Sequence, residues 1–480
     1  MQVRVSACAV YELPAGADWL RIVAGLRRRP GFWWLDSARV DARLGRFSFA
    51  GAEPWCVLRS FGTRSEVEVL RSPRPAQPLG TRVVWGDPLE ALRALLPSRP
   101  AEGAPLPVPF AGGALVALGY ELGAVLEPVS VSPVDDLGLP DLTAFGVDRL
   151  YACDHVEGRL YALAWTEAED AASAAQQAEA AASALARPLP DDEPPPPPSS
   201  VTRTLDIQAG FDAETHAKTV ERIREHIAAG DLYQACLTHR LALPFRGDAW
   251  ALAGALRTLN PAPFACLLSL PDATLVGSSP ERFLRASADG WVESRPIKGT
   301  RPRGKDAAAD RSERAALAAS AKDRAENLMI VDLVRNDLGR VCETGSVHVP
   351  ELFAIEPYAS VFQLVSTVRG RLAPGRTVVD AVRAAFPPGS MTGAPKLAAM
   401  ELLARLEPVR RGLYSGAVGY LDLRGGADLA VTIRSAVLTG GRAFVHTGGG
   451  IVADSEPAAE WREAEDKARP LLAALAVSNR

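Results

Sequence analysis

The chain has 480 residues, 48% of them apolar and 23% charged, which is enough apolar material for a large core and about two to four domains. The formal net charge is −4, and no dense basic run occurs, which argues against nucleic acid as a partner. No run of about 18 apolar residues suggests a membrane span, and the six cysteines form no CxxC pair and do not cluster with histidines, against a zinc site or a disulfide framework.

The N-terminus, residues 1–16, lacks the uninterrupted apolar run of a signal peptide, which with the cysteine usage predicts a cytoplasmic protein. Residues 1–165 read as short strands and turns at 38–54, 80–88 and 110–123, with strand alternation from Gly45 to Ala50. The Ala-rich segment 166–187 predicts a helix. Asp191, Asp192 and Glu193 then lead into five prolines at 194–198, which suit an extended linker or surface loop. The chain is thus expected to divide into a region 1–190, a connection 191–204 and a denser region 205–477. In the last, 212–229 reads as a helix running into Gly230. Strands follow at 235–243, 264–270, 274–276 and 291–295. Residues 310–340 form a long helical pattern with Leu317, Ala321, Ala325, Leu328, Val331 and Val334 at helix spacing. Strands return at 415–423, 428–438 and 442–447. A last helix, 457–475, carries the stripe Trp461, Ala464, Ala468, Leu471 and Leu475, with Pro457 in its first turn. Helices and strands do not alternate as βαβ units, so the fold class is α+β.

Several constellations can carry chemistry. Asp323 and Glu326 are three apart on one predicted helix, and Glu460 and Glu463 three apart on another, so each pair shares a face. Two such helices can offer four carboxylates to one hard cation such as Mg²⁺. The same spacing also describes solvated faces, with Glu463 and Lys467 an ordinary i,i+4 ion pair. Gly448-Gly449-Gly450 follows a strand; it permits close approach of an anion to backbone N–H groups, or simply a turn. Arg434 lies in the apolar run 429–438, where a lone buried guanidinium is costly. A ligand carboxylate or an internal Asp or Glu would satisfy it. Glu281, after Ser279-Pro280, becomes a general acid if apolar walls raise its pKa; the tripeptide is also a common turn. Lys298 lies between Arg295 and Arg301, before Gly299-Thr300. Nearby cations and partial burial lower a lysine pKa and free a nucleophilic amine, whereas composition alone reads an exposed lysine.

In this order, the segments closely resemble the chorismate-utilising enzymes, the family of anthranilate, aminodeoxychorismate, isochorismate and salicylate synthases. The resemblance is dense over 205–475. It is carried by Tyr233-Gln234, Gly277-Ser278-Ser279-Pro280-Glu281, the run Pro296-Ile297-Lys298-Gly299-Thr300-Arg301-Pro302-Arg303-Gly304, residues 326–337, Gly393-Ala394-Pro395-Lys396 and Tyr414-Ser415-Gly416-Ala417-Val418-Gly419. The N-terminal part matches more loosely, through Leu35-Asp36-Ser37 and Gly119-Tyr120-Glu121-Leu122-Gly123.

The resemblance implies two large antiparallel sheets packed together with helices outside and a cleft between them. It implies Mg²⁺ on Glu326 and Glu463, with Asp323 and Glu460 holding its waters and Lys467 offsetting charge. Tyr414, Arg434 and the amides near Gly448 and Gly450 would hold the enolpyruvyl carboxylate of chorismate, with Gly393 also in the substrate site. Glu281 would protonate the departing C4 hydroxyl, and Thr300 would sit against the ring oxygen. Gln234 stands where the water-adding branches carry a lysine. Lys298 stands where anthranilate synthases typically carry alanine, which is the pattern of the branch that aminates C4. Gln363 replaces a histidine common in the family. The segment shows no glutaminase nucleophile turn, so ammonia is expected from solution or from a separate glutamine amidotransferase subunit. A tryptophan pocket at Leu35-Asp36-Ser37 is the remaining ligand expectation.

Overall fold

The computed structural model describes residues 5–73, 78–97, 105–187, 189, 192–199, 202–358 and 361–479. Two large sheets, antiparallel throughout, dominate them. The first runs Val5–Glu12, Arg159–Ala168, Arg149–Asp154, Phe47–Gly51, Trp33–Asp36, Phe264–Ser269, Thr274–Ser279, Ser435–Thr439, Arg442–Ile451, Gln234–Pro244, Gln208–Ala209. The second runs Ile297–Pro302, Val361–Arg371, Trp291–Ser294, Arg282–Ala286, Ala427–Val431, Ala417–Asp422, Gly113–Leu118, Leu142–Val147, Cys56–Phe61, Arg64–Val69, Gly80–Trp85. Strands from before and after the proline run are interleaved in both. The described prolines lie along the helix Ala249–Leu259, where a Cβ on Gly254 would meet the Pro196 carbonyl at 2.6 Å. Beside them Asp192 pairs with Arg27 at 2.8 Å.

Strand alternation sorts side chains into three apolar layers. On Gly113–Leu118, Leu115 and Ala117 face the space between the sheets, while Ala114, Val116 and Leu118 face the helices behind. Both faces are buried, so this strand reads as an unbroken apolar run. The middle layer joins Phe49, Leu275 and Phe444 of the first sheet to Phe145, Val418 and Tyr420 of the second. Trp19–Leu26, Ala249–Leu259 and the C-terminal helix Pro457–Ser478 cover the first sheet. The helices Ala321–Gly339 and Val378–Ala385 cover the second. Among the described residues no helix is long and apolar enough to cross a membrane, and all six cysteines are free.

Three local expectations change. The segment 166–187 begins as the end of a strand, and its helix is Ala171–Leu185, capped by Asp170. The pattern 310–340 is two helices, Ala307–Ala319 and Ala321–Gly339. Ser320 is extended between them and caps the second through the Asp323 N–H. Ala321, Ala325 and Leu328 face outward, because the inward face carries Asp323, Glu326 and Asn327 ahead of Ile330, Val331 and Val334. Finally, 428–438 is not one strand. Ala427–Val431 belongs to the second sheet and Ser435–Thr439 to the first, and the chain crosses at 432–434 with Arg434 at φ +52°.

Candidate functional site

A cavity of about 690 Å³ opens where the strands Arg442–Ile451 and Ile297–Pro302 face the helices Ala321–Gly339 and Pro457–Ser478. Its lining residues all lie between 236 and 471. Every site residue expected from the sequence lines it except Gln234 and Gly393. Those two sit behind it: Gly393–Ala394 pairs with Ala235 and Gln234 as a short strand. Gln234 is fully buried, and neither end of its amide has a partner among the described residues.

The three glycines are strand residues, not a turn. Gly448, Gly449 and Gly450 pair with Thr238, Leu237 and Cys236. Their value is the missing side chain. A Cβ on Gly450 would lie 2.8 Å from Gln234 Nε2 and 3.1 Å from Lys298 Nζ. One on Gly449 would lie 3.2 Å from Glu460 Oε2, 3.6 Å from Glu463 Oε1 and 3.6 Å from Lys467 Nζ. The bare strand therefore lets the lysine and the acids approach from its two faces.

Gly299 has φ +88°, and a Cβ there would meet Asp323 Cβ at 2.8 Å. This irregularity shifts the strand register between Ile297 and Thr300 and lets the helix carrying Asp323 and Glu326 approach closely. The arginines flanking Lys298 turn elsewhere: Arg301 pairs with Asp323 at 2.8 Å, and Arg295 pairs with Glu356. Lys298 instead acts on carboxylates, since it lowers the pKa of Glu281, Glu326 and Glu463.

Glu281 is buried, and that burial pushes its carboxyl up to about 7, against the opposing pull of Ser390 and Lys298. Glu326 is raised by burial and further by the charges of Asp323 and Glu463. Glu460 is raised by burial and by Glu463, although Ser455 donates to it at 2.7 Å. Glu463 is lowered, first by Lys467, whose ammonium lies 2.6 Å from it and also donates to the Gly448 carbonyl at 2.9 Å. The i,i+4 pair is thus real, and it lies inside the cavity. Among the described residues no three acids converge at ligating distance as they stand. The donor set nonetheless fits a hard divalent cation: carboxylate oxygens from two helices that repel one another beside a side-chain-free strand.

The opposite end is electropositive. Arg434 lines the cavity, burial lowers its pKa, and among the described residues it makes no ion pair; it donates to the Lys467 carbonyl. Tyr414 is buried beside it, with its phenol pKa raised by that burial. Thr300 lies opposite Gln363 across the strands, and the Gln363 Oε1 has no partner among the described residues.

Sequence reasoning missed three lining residues. Ser390 acts on Glu281, Lys322 stands 3.9 Å from Glu326, and His446 stacks on Tyr414. The turn-rich run Pro387-Pro388-Gly389-Ser390 and the lone histidine after Ala443-Phe444-Val445 were the available signals.

A second cavity of about 540 Å³ lies between the sheets, against Leu35, Asp36, Ser37, Arg43, Phe47 and Arg282. Arg282 is held there by Asp428 at 2.8 Å.

Comparison with known proteins points to one family. A family model described as chorismate binding enzyme matches residues 48–473. An aminodeoxychorismate synthase from Streptomyces pristinaespiralis is 43% identical over 469 residues, covering 93% of this chain and 62% of that protein. The chain thus spans about three fifths of that longer relative. Aminodeoxychorismate synthase component 1 of Escherichia coli (strain K12) is 37% identical over 453 residues, covering 94% of each chain. Among solved structures, anthranilate synthase component I from Streptococcus pneumoniae TIGR4 superposes with a TM-score of 0.74 at 29% identity, over 90% of this chain and 93% of that one.

Proposed function

The chain belongs to the chorismate-binding enzyme family, and on that premise we propose that it aminates chorismate at C4, as an aminodeoxychorismate synthase component I. The product, 4-amino-4-deoxychorismate, is the precursor of p-aminobenzoate and so of folate. The observation that carries this reading is Lys298 facing the cavity within the electrostatic reach of Glu281.

Chorismate is a dianion, and the cavity has two unlike ends. Its enolpyruvyl carboxylate goes to Arg434 and Tyr414, where a guanidinium lacks an internal acid. Its ring carboxylate goes toward the acids and Lys467. Glu326 and Glu463, with Asp323 and Glu460 behind them, would hold Mg²⁺ there. When bound, the ion neutralises the ring carboxylate and makes C2 more electrophilic.

Lys298 attacks C2 as a neutral amine. The ring double bond shifts, and the C4 hydroxyl leaves as water with the proton of Glu281. Ammonia then bonds to C4, the double bond shifts back, and the C2–N bond breaks to release the Lys298 amine. Glu281 regains its proton from the new C4 ammonium. A buried carboxyl with its pKa near 7 suits both transfers. Gln234 cannot serve as the base that a water-adding site needs. Ammonia would come from a separate glutamine amidotransferase, in keeping with the name component 1 of the Escherichia coli relative. Free cysteines accord with a cytoplasmic setting. The second cavity would take an amphipathic ligand of the size of tryptophan.

The test is to incubate the protein with chorismate, Mg²⁺ and ammonium and to weigh the product. C4 amination yields aminodeoxychorismate, which needs an added lyase to become aromatic. Direct release of fluorescent anthranilate would overturn the assignment in favour of C2 chemistry, the activity named for the superposing Streptococcus pneumoniae structure.

A further inference from the structure

One cavity residue has no part in the scheme above. His446 lies on the glycine strand opposite Arg240, two residues before Gly448. It is buried and lines the cavity. Its ring stacks on Tyr414, with centroids 5.0 Å apart and planes 13° apart. Among the described residues nothing bonds to its Nε2. A buried ring nitrogen without a partner calls for a reason, and a ligand that completes it is one.

Strand alternation says which way the ring points. Phe444 packs between the sheets, and Val445 packs against the helices behind. His446 therefore shares the inward face with Phe444 and Gly450, the face on which Lys298 and Gln234 approach the strand. The local field is positive. Burial first, then Arg240, Arg411 and His239, hold the imidazole far below its usual pKa, so it is neutral. A neutral imidazole has one N–H to give, and surroundings that disfavour a cation favour an anionic acceptor. Arg434 and Tyr414 mark where such an acceptor lies.

We infer that His446 is a substrate-binding residue: its Nε2–H donates to the enolpyruvyl carboxylate of chorismate, beside Arg434 and the ring-stacked Tyr414. This rests on the chorismate reading of the cavity.

Two variants separate the hydrogen bond from the stack. His446→Phe keeps a flat ring on Tyr414 and removes Nε2. His446→Gln returns an N–H to about the same place. Chorismate binding to the full chain is measured by calorimetry with Mg²⁺ and without ammonia, and steady-state amination is then run with ammonium. A hydrogen bond to a charged group predicts binding weakened about ten- to a hundredfold in the phenylalanine variant. KM should rise in parallel, kcat should stay within about threefold, and the glutamine variant should recover most of the loss. Equal binding by wild type and His446→Phe overturns the inference, as does a folded glutamine variant no better than phenylalanine. If the wild type itself fails to bind chorismate, the site reading falls and takes this inference with it.

Discussion

Replacing Gly450 by alanine tests whether the bare strand sets the position of Lys298. The new Cβ would lie 2.8 Å from Gln234 Nε2 and 3.1 Å from Lys298 Nζ. Ordinary contact begins near 3.4 Å, so Gln234 must give by about 0.6 Å and Lys298 by about 0.3 Å. Gly450 is not in the left-handed region, so alanine brings no backbone strain. Gln234 has no side-chain partner to lose among the described residues, but its backbone is fixed between two strands. Overpacking costs about 1–3 kcal/mol, and two movable side-chain tips put this case near the lower end. A reacting group misplaced by about 1 Å loses roughly a hundredfold in rate, so a shift of a third of that predicts a kcat about three- to tenfold lower. The assay is C4 amination at saturating chorismate and ammonium, with Tm measured alongside. An unchanged kcat in a folded variant would refute the claim that this strand positions the lysine. Gly448→Ala is the internal contrast. Its Cβ would meet the Leu237 carbonyl oxygen at 2.0 Å, and that backbone cannot retreat. It should be far less stable than Gly450→Ala, and equal stability would contradict the strand register.

Further outcomes follow from the same geometry. Lys298→Ala should retain chorismate binding and lose C4 amination by about a thousandfold or more, measured by product mass; unchanged amination would exclude covalent catalysis. Glu281 must be protonated to act as an acid, so kcat/KM should fall above about pH 7, and Glu281→Gln should flatten that limb while lowering the rate about 10²- to 10⁴-fold. Its folded pKa lies above the usual 4.5, so the stability it contributes is full below pH 4.5 and lost as pH rises through about 7. Glu281→Gln should therefore gain in Tm relative to wild type at pH 8 but not at pH 4.5. Calorimetric titration should detect Mg²⁺ binding that Glu326→Gln and Glu463→Gln each weaken at least about tenfold; binding unaffected by both would move the cation elsewhere. Tryptophan at about a hundred times its Kd should stabilise the protein by about 2.7 kcal/mol if it fills the second cavity, and an unmoved Tm across a wide titration would dismiss it.

The α+β sandwich was legible because its strands and outer helices carry the right periodicities. The C-terminal helix, for example, buries Ala464, Ala468, Leu471 and Leu475 as its stripe demands. Where the reading slipped, function had displaced hydrophobicity. The helix Ala321–Gly339 turns Leu328 outward because Asp323, Glu326 and Asn327 occupy the inward face, so an apolar-stripe criterion selects the wrong side. The break at 432–434 was hidden because both flanking strands are buried, and nothing apolar marks the place where a chain changes sheets. The glycine run looked like a turn because glycine is common in turns. Only the pairing with Gln234–Pro244 reveals a strand kept bare for its neighbours. Lys298 was legible by resemblance alone, since neither exposure nor the partners of Arg295 and Arg301 can be read from spacing.

The crossing at Arg434 explains why this architecture can hold a dianion at all. Inside either sheet a guanidinium would need an internal acid, and that acid would neutralise the site. At a crossing between sheets, backbone carbonyls are released from strand pairing, and Arg434 rests on one from the C-terminal helix, that of Lys467. Its charge stays available to a ligand. The acids at the other end are likewise incomplete: Glu326 and Glu460 are buried and press on Glu463, and Lys467 offsets only part of that charge. One end lacks an anion and the other lacks a cation. A ligand with carboxylates at both ends, bound with a divalent cation at one of them, satisfies both deficits in a single orientation. In the proposed reading that orientation turns the reacting edge of the ring toward Lys298 and Glu281, which lie between the two ends.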